Sequence, residues 1–150
     1  MGKKIDLAAA PVRVGTAYPP PFDAPCKERS RTRIGAAGGL TQFGVNVLRL
    51  PPGQWSSQRH WHSHEDELVY VLEGEVVLVT NSGEETLVAG DCAGFRAGDA
   101  DGHHLQNRSK GMVVLLEIGT SAGDDDVTEY PDVDLRALPS GFVNKAGTPY

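Results

Sequence analysis

The amino-acid sequence predicts an all-β protein, built as a sandwich or a barrel. Its 150 residues include 18 glycines and 10 prolines, so turns are frequent and long uninterrupted segments are few. Short apolar or alternating runs recur between these turns, and no convincing helical pattern separates them. A chain of this length can build one domain with a real core and is too short for two.

The first segment, residues 1–39, is rich in Ala, Pro, Gly and Arg and is expected to form an irregular N-terminal arm. Its stretch YPPPF contains Tyr18 and Phe22. If these aromatic side chains pack, they anchor the arm or cover the mouth of a pocket. If they do not, the segment is a disordered leader, and the sequence leaves both possibilities open.

The body of the domain is expected at residues 40–118, where strand and turn patterns alternate. Tight turns are indicated where Gly, Pro, Asn and Asp cluster, as at Pro51-Pro52-Gly53. The predicted strands are 40–50, two within 67–80 that break at 73–75, 86–90, 92–95, 103–107 and 112–118. The last segment, residues 119–150, is expected to be a tail that packs on the barrel or extends from it. The acid run 124–126 is interpreted as a solvated loop.

Charge and composition restrict the partners. The net charge of −6 provides no broad basic patch, so neither nucleic acid nor an anionic membrane is expected as a partner. No apolar run approaches the roughly 20 residues of a membrane span, and the N-terminus lacks the apolar segment of a signal peptide. Cys26 and Cys92 lack C-x-x-C spacing and are expected to be reduced thiols. The expected location is the cytoplasm.

The stretch RHWHSHEDELVYVLEGE, residues 59–75, is the strongest candidate for a functional site. Alternate residues of an extended segment share a face, so His60, His62 and His64 could all point the same way. Glu67 opens the strand that follows. Divalent first-row metals take imidazole nitrogens and carboxylates at about 2.0–2.2 Å. A bare H-x-H pair is weak support for such a site.

The spacing around these histidines resembles the first motif of the cupin superfamily, G-x5-H-x-H-x(3,4)-E-x6-G. Gly53, His60, His62, Glu67 and Gly74 fit it, with six residues instead of five between Gly53 and His60. The alternative pair of His62 with the next histidine would leave only two residues before Glu67, outside the family spacing. The resemblance therefore makes His64 a nearby loop residue. A role for it as a metal ligand, or as a side chain that supports a ligand, is less favoured than for His60 and His62.

The second cupin motif, G-x5-P-x-G-x2-H-x3-N, is also present in part. Gly90, Gly98, His103 and Asn107 fit it, although Arg96 replaces the proline and two extra residues lengthen the loop before the histidine.

A rival for the fourth ligand is His104. Alternation places His103 and Asn107 on one face of the strand and His104 on the other, which favours His103.

The chain thus resembles the small single-domain bacterial cupins, including those called sugar-phosphate-isomerase-like. The resemblance implies a double-stranded β-helix, the cupin jelly-roll barrel, with a divalent metal inside it. The implied ligands are His60, His62, Glu67 and His103. Mixed nitrogen and oxygen ligands suit Fe, Mn, Ni, Co, Cu or Zn, and the sequence does not choose among them.

Three functions are compatible with such a site. The favoured one is a small metalloenzyme, an isomerase or epimerase that acts on a polar sugar-like or carboxylate metabolite. The alternatives are an Fe- or Cu-dependent dioxygenase and a non-catalytic metabolite-binding module. The expected partners are a small-molecule substrate and a second copy of the chain in a homodimer. No catalytic residue is assigned, and the candidates for substrate contact or for support of the ligands are Gln58, His64, Arg96, His104 and Asn107.

Overall fold

The computed structural model describes residues 2–150 and is almost entirely β-structure. Met1, the first residue of the predicted arm, lies outside the described residues. Within them there is one short α-helix, α1 (Ile34–Ala37), and three 3₁₀ turns at Leu7–Ala9, Ala24–Cys26 and Gly123–Asp125. The strands are β1 (Val12–Val14), β2 (Ser30–Thr32), β3 (Phe43–Leu50), β4 (Trp61–His62), β5 (Glu67–Glu73), β6 (Glu75–Thr80), β7 (Gly83–Val88), β8 (Cys92–Phe95), β9 (His104–Gln106), β10 (Val113–Thr120), β11 (Thr128–Tyr130), β12 (Leu135–Leu138) and β13 (Gly141–Val143).

Across residues 2–150 these strands form three sheets. The largest has the order β1-β2-β3-β10-β5-β8, and the others are β13-β12-β11-β4 and β7-β6-β9. Neighbouring strands run antiparallel, and β10 lies between β3 and β5, which are both far from it in sequence. Such non-consecutive neighbours are the crossovers of a jelly roll. The predicted all-β fold, a double-stranded β-helix, is confirmed.

The core lies between the large sheet and the three-stranded sheet. Along β5 the alternation expected of a half-buried strand is regular, because Val69 and Val71 are buried while Leu68, Tyr70 and Leu72 are exposed. One face of β5 therefore belongs to the core, and the other carries apolar side chains on the outside of the barrel. The buried cluster consists of Leu48, Leu50, Val69, Val71, Val76, Leu78, Leu87, Leu105, Val113 and Leu115.

The N-terminal arm contributes two strands that the sequence pattern did not predict. β2 pairs with β3 through Thr32 and Val47, and β1 pairs with β2. The three residues of β2 are Ser, Arg and Thr, so no apolar alternation marks the strand. Backbone pairing with its neighbours, and not an apolar pattern, places it in the sheet.

The aromatic residues of the arm pack on the body, so YPPPF anchors the arm and is not part of a disordered leader. Tyr18 contacts Tyr130 and Phe142 with ring centroids 5.6 Å apart in each case. Phe22 contacts Tyr150 at 5.6 Å. These contacts tie the arm to β11, to β13 and to the C-terminus.

The two cysteines form no disulfide bond, as expected from their spacing. Cys26 is buried, Cys92 is exposed, and both are free.

The helices within residues 2–150 are all short. No helix there has the length and apolar character needed to cross a membrane.

Candidate metal centre

Three histidine nitrogens converge on one carboxylate oxygen, Oε2 of Glu67. The Nε2 atom of His103 lies 2.8 Å from it, that of His60 3.3 Å and that of His62 3.6 Å. The four residues predicted as ligands are therefore brought together.

These separations fit a shared metal ion. Ligand atoms that bind one ion at about 2.0–2.2 Å and at right angles lie about 3 Å from each other. The donor atoms of His60, His62 and Glu67 all lie within 4.8 Å of one another, close enough to hold an ion. The histidine and carboxylate donors, without thiolate, suit the first-row divalent metals predicted from the sequence. That His103 completes the ligand set stays a prediction.

Backbone pairing explains why His60 and His103 face each other. The His60 N–H donates to the His103 carbonyl over 3.1 Å, and the His103 N–H donates to the His60 carbonyl over 2.8 Å. Residues that exchange both backbone hydrogen bonds in an antiparallel pair point their side chains to the same face. His62, two residues beyond His60, shares that face, and Glu67 at the start of β5 reaches it from the large sheet.

His104 lies on the opposite face of the strand, away from Glu67. Its ring packs edge-on against Trp55 at 4.8 Å, and its Nδ1–H donates to the Ser57 carbonyl over 3.0 Å. Its Nε2 accepts from the Gln106 amide over 2.9 Å, which requires a neutral ring. Burial lowers the pKa of His104 to about 4. The structure thus gives His104 a packing role.

Hydrogen bonds from the second ring nitrogen orient two of the predicted ligands. Nδ1 of His60 donates to the Gln58 carbonyl over 2.9 Å, and Nδ1 of His62 donates to Oδ2 of Asp126 over 2.6 Å. Both bonds keep a proton on Nδ1, so that a metal ion could take the Nε2 lone pair of each ring, as metal ligands require. Without an ion, Nε2 of His60 donates to Glu67. His103 differs, because its Nδ1 is buried without a partner among the described residues.

Electrostatics hold Glu67 in its ionised form. Burial alone would raise the pKa of its carboxyl group, but hydrogen bonds from His103 and His60 outweigh burial and hold the pKa well below its usual range. Burial opposes protonation of both histidines as well. Contact with Glu67 outweighs burial at His60 and raises its pKa, whereas burial prevails at His103 and lowers its pKa. The cluster therefore presents a carboxylate with imidazole nitrogens around it.

Asp126 contacts a predicted ligand but was not itself predicted from the sequence. Asp124 and Asp125 are exposed, as expected of a solvated loop, but the Asp126 side chain is only 10% exposed. Its other oxygen, Oδ1, accepts the backbone N–H of His64 over 2.9 Å. Burial raises the pKa of Asp126, but the hydrogen bonds from His62 and His64 outweigh it and lower the pKa. Only the pairing of β11 with β4 brings this carboxylate to His62, 64 residues away.

The remaining predicted candidates lie outside the ligand cluster. His64 is exposed and its ring contacts Ser63. Asn107 is buried, and its amide donates to the carbonyls of Leu50 and Gly111, so it fixes a loop and does not face the cluster. This position differs from the one expected from alternation, because the strand ends at Gln106 and alternation stops there.

Gln58 and Arg96, the other two candidates, also lie outside the ligand cluster. The Gln58 amide donates to the Phe22 carbonyl over 2.8 Å and so holds the arm, while its own carbonyl orients His60. Arg96 is exposed at the rim of a small cavity of about 140 Å³ that also contacts Glu67 and Trp61.

A second cavity, of about 210 Å³, opens on the other side of the cluster. It is lined largely by polar and charged groups. Arg31 donates to both oxygens of Glu117 over 2.6 and 2.9 Å, and Arg29 lies beside it. These arginines belong to the arm, where no strand pattern is visible in the sequence, so their approach to the site could not be predicted. The walls of this cavity include Tyr18, Arg29, Arg31, His60, Glu117 and Tyr130.

Comparison with known proteins assigns the family. The cupin domain family matches residues 46–119. A structure from Silicibacter pomeroyi, described as a sugar phosphate isomerase of the cupin superfamily, is 43% identical, with a TM-score of 0.91 over 99% of this chain and 96% of that one. This chain belongs to the cupin superfamily, and the resemblance found in its sequence is confirmed.

Two further structures are similar to it. A protein from Acidithiobacillus ferrooxidans, provisionally described as a sugar phosphate isomerase, is 30% identical, with a TM-score of 0.73 over 82% of this chain and 80% of that one. A protein from Thermotoga maritima predicted to be an oxalate decarboxylase is 19% identical, with a TM-score of 0.64 over 79% of this chain and 98% of that one, which shows the fold alone. Among curated proteins no match was found.

Proposed function

We propose that this cupin is a small metalloenzyme, an isomerase or epimerase that acts on a polar sugar-like or carboxylate metabolite. The observation that carries the proposal is the convergence of three imidazole nitrogens on the Glu67 carboxylate beside a cavity lined by polar groups. His60, His62, Glu67 and His103 would hold one divalent ion, the fourth ligand being the assignment made from the sequence.

A divalent ion bound there would act as a Lewis acid toward a carbonyl or hydroxyl oxygen of the substrate. The chain supplies hydrogen-bond donors around that oxygen. Burial raises the pKa of both Tyr18 and Tyr130, so their hydroxyl groups stay protonated at neutral pH and can donate to substrate oxygens. Ser57 and Thr128 line the same cavity and add hydroxyl groups. Such a lining fits a substrate with several oxygens.

The description of two similar structures as sugar phosphate isomerases supports the same substrate class. The polar lining of this cavity fits a sugar better than the aromatic substrate of a dioxygenase, for which a more apolar cavity of about 540 Å³ beside Glu67 would be the place. The apolar residues Val69 and Phe95 have structural contacts of their own. Val69 belongs to the hydrophobic core, and the Phe95 ring stacks on His103 with ring centroids 3.5 Å apart.

Proton transfer at carbon is the reaction to test. Metal-loaded protein in D₂O would be incubated with aldoses, ketoses, their phosphates and hydroxy acids, and deuterium at carbon would be followed by NMR. We expect deuterium incorporation into at least one substrate, lost in Glu67→Gln because that variant lacks the metal-binding carboxylate. Oxygen uptake without deuterium incorporation would instead show the dioxygenase. If metal is bound and neither deuterium incorporation nor oxygen uptake is observed, the non-catalytic metabolite-binding module is the remaining function.

A further inference from the structure

Arg29 is a buried cation with few partners. It is 6% exposed, although arginine is rarely buried unless it is paired. Its Nε donates to the Gly15 carbonyl over 3.2 Å, and its guanidinium carbon lies 5.9 Å from the centre of the Tyr18 ring. Its Nη1 atom is buried and has no hydrogen-bond partner within residues 2–150.

Among the described residues, no carboxylate forms an ion pair with this guanidinium group. Glu117, whose charge reaches Arg29, has both oxygens engaged by Arg31. Burial, and then the charge of Arg31, lower the pKa of Arg29. Burial also raises the pKa of the Cys26 thiol and of the Tyr18 hydroxyl, so neither neighbour is an anion at neutral pH. An unpaired buried charge is costly, which favours a ligand that completes it.

Arg29 faces the same cavity of about 210 Å³ as His60 and Glu67. We propose that Arg29 binds the anionic group of the substrate, a carboxylate or a phosphate, while other substrate oxygens face the histidine cluster. This inference rests on the proposed function, since it names the feature by which that site selects its substrate. The planar guanidinium group matches either oxyanion, with two parallel N–H donors.

The other arginines near the site fit this role less well. Arg31 is already bidentate with Glu117, and Arg96 is exposed at a different cavity. The cavity wall contains two positive groups, Arg29 and Arg31, and two negative groups, Glu67 and Glu117, so these charges balance. Any bound divalent cation would leave the wall positive, so an anionic ligand is favoured over a neutral one.

The test is isothermal titration calorimetry with full-length protein, both metal-loaded and metal-free. The probes are inorganic phosphate, gluconate and the uncharged polyol glucitol. The variants are Arg29→Gln, Arg29→Lys and the control Arg33→Gln, which removes the same charge from an exposed position in the arm. Circular dichroism and metal content establish that each variant is folded and loaded.

We expect wild type and Arg33→Gln to bind at least one of the two anions more tightly than glucitol. In Arg29→Gln the dissociation constant for that anion should rise about tenfold to a hundredfold, the usual effect of losing a charged hydrogen bond. Arg29→Lys should recover part of the affinity, because it keeps the charge without the planar fork. Preference for phosphate or for gluconate identifies which oxyanion the site takes.

Equal anion affinity in wild type and Arg29→Gln would overturn the proposal, as would the absence of anion binding by the wild type. The metal measurement keeps the two proposals apart. If no preparation holds metal but anion binding still depends on Arg29, the anion site stands and the metalloenzyme fails. If metal is bound but Arg29→Gln leaves anion affinity unchanged, the anion site fails and the proposed metalloenzyme is unaffected.

Discussion

At the scale of single residues, the site depends on which ring nitrogen of each histidine carries the proton. Asp126 fixes this for His62, because its Oδ2 accepts the Nδ1–H over 2.6 Å and leaves Nε2 free. A carboxylate in this position orients the ring and raises the basicity of the nitrogen that binds the metal. Asp126 is assigned as a positioning residue for His62, because its carboxylate contacts the Nδ1 side of that ring and not the Nε2 side that faces Glu67.

Replacement of Asp126 by Asn should therefore weaken metal binding without removing it. We expect a loss of about tenfold to a hundredfold in affinity, which is usual for partners of metal-binding histidines. Competition with a chromophoric chelator measures the affinity directly. The exposed neighbour Asp124 provides a matched control, and Asp124→Asn should bind metal as wild type does. An equal loss in both variants would mean that only the general negative charge of the loop matters.

The buried ring of His104 makes stability depend on pH. Burial lowers its pKa to about 4 in the folded protein, whereas an imidazole in the unfolded chain titrates near its ordinary value of 6.5. As pH falls below about 6.5 the unfolded state takes up the proton first. The free energy of unfolding should therefore fall between about pH 6.5 and 4, by on the order of 3 kcal/mol.

This prediction is checked by urea unfolding of metal-free protein across that pH window. His104→Gln should flatten the pH dependence, while the exposed His64→Gln should leave it as in wild type. The same slope in His104→Gln and wild type would show that other groups are responsible.

At the scale of the strands, the turn between β5 and β6 depends on Gly74. Its φ is 86°, and an added Cβ would lie 2.9 Å from the Met112 carbonyl oxygen. Gly74→Ala combines a left-handed backbone with a clash against a neighbouring segment, so we expect a loss on the order of 2 kcal/mol in the free energy of unfolding. Chemical denaturation measures it.

Gly111→Ala is the control for that substitution. An added Cβ at Gly111 meets nothing within 4 Å, and its φ is not positive. Its free energy of unfolding should stay within about 0.5 kcal/mol of wild type. A similarly small effect at Gly74 would mean that the turn relaxes.

The elements that could be predicted from the sequence are those with strong apolar patterning or family spacing. The Val- and Leu-rich runs predict strands β5 and β10, and the motif that ends at Gly74 identifies His60, His62 and Glu67 as one group. Strands β2, β4 and β11 have two or three residues each and no apolar alternation. Long-range pairing determines them, and with them the positions of Arg29, Arg31, Asp126 and Tyr130.

At the scale of the whole molecule, the homodimer predicted from the sequence stays a prediction. Leu68, Tyr70 and Leu72 are about two-fifths exposed along one face of β5, beside the edge strand β8 of the large sheet. Burying such a face against a second copy is favourable. Light scattering should give twice the chain mass of 16.0 kDa. Leu72→Lys should reduce the measured mass to that of one chain, whereas Val88→Lys, on an exposed position of another sheet, should leave it unchanged. A wild-type protein with the mass of one chain would contradict the prediction.

The proposed chemistry depends on one divalent metal in the barrel. The most direct measurement is elemental analysis by inductively coupled plasma mass spectrometry of tag-free wild type, His60→Ala and the control His64→Ala. We predict about one equivalent of Fe, Mn, Ni, Co, Cu or Zn per chain in wild type and in His64→Ala, and none in a folded His60→Ala. No metal in the wild type even after reconstitution, or equal metal in His60→Ala, would contradict the proposed metal centre.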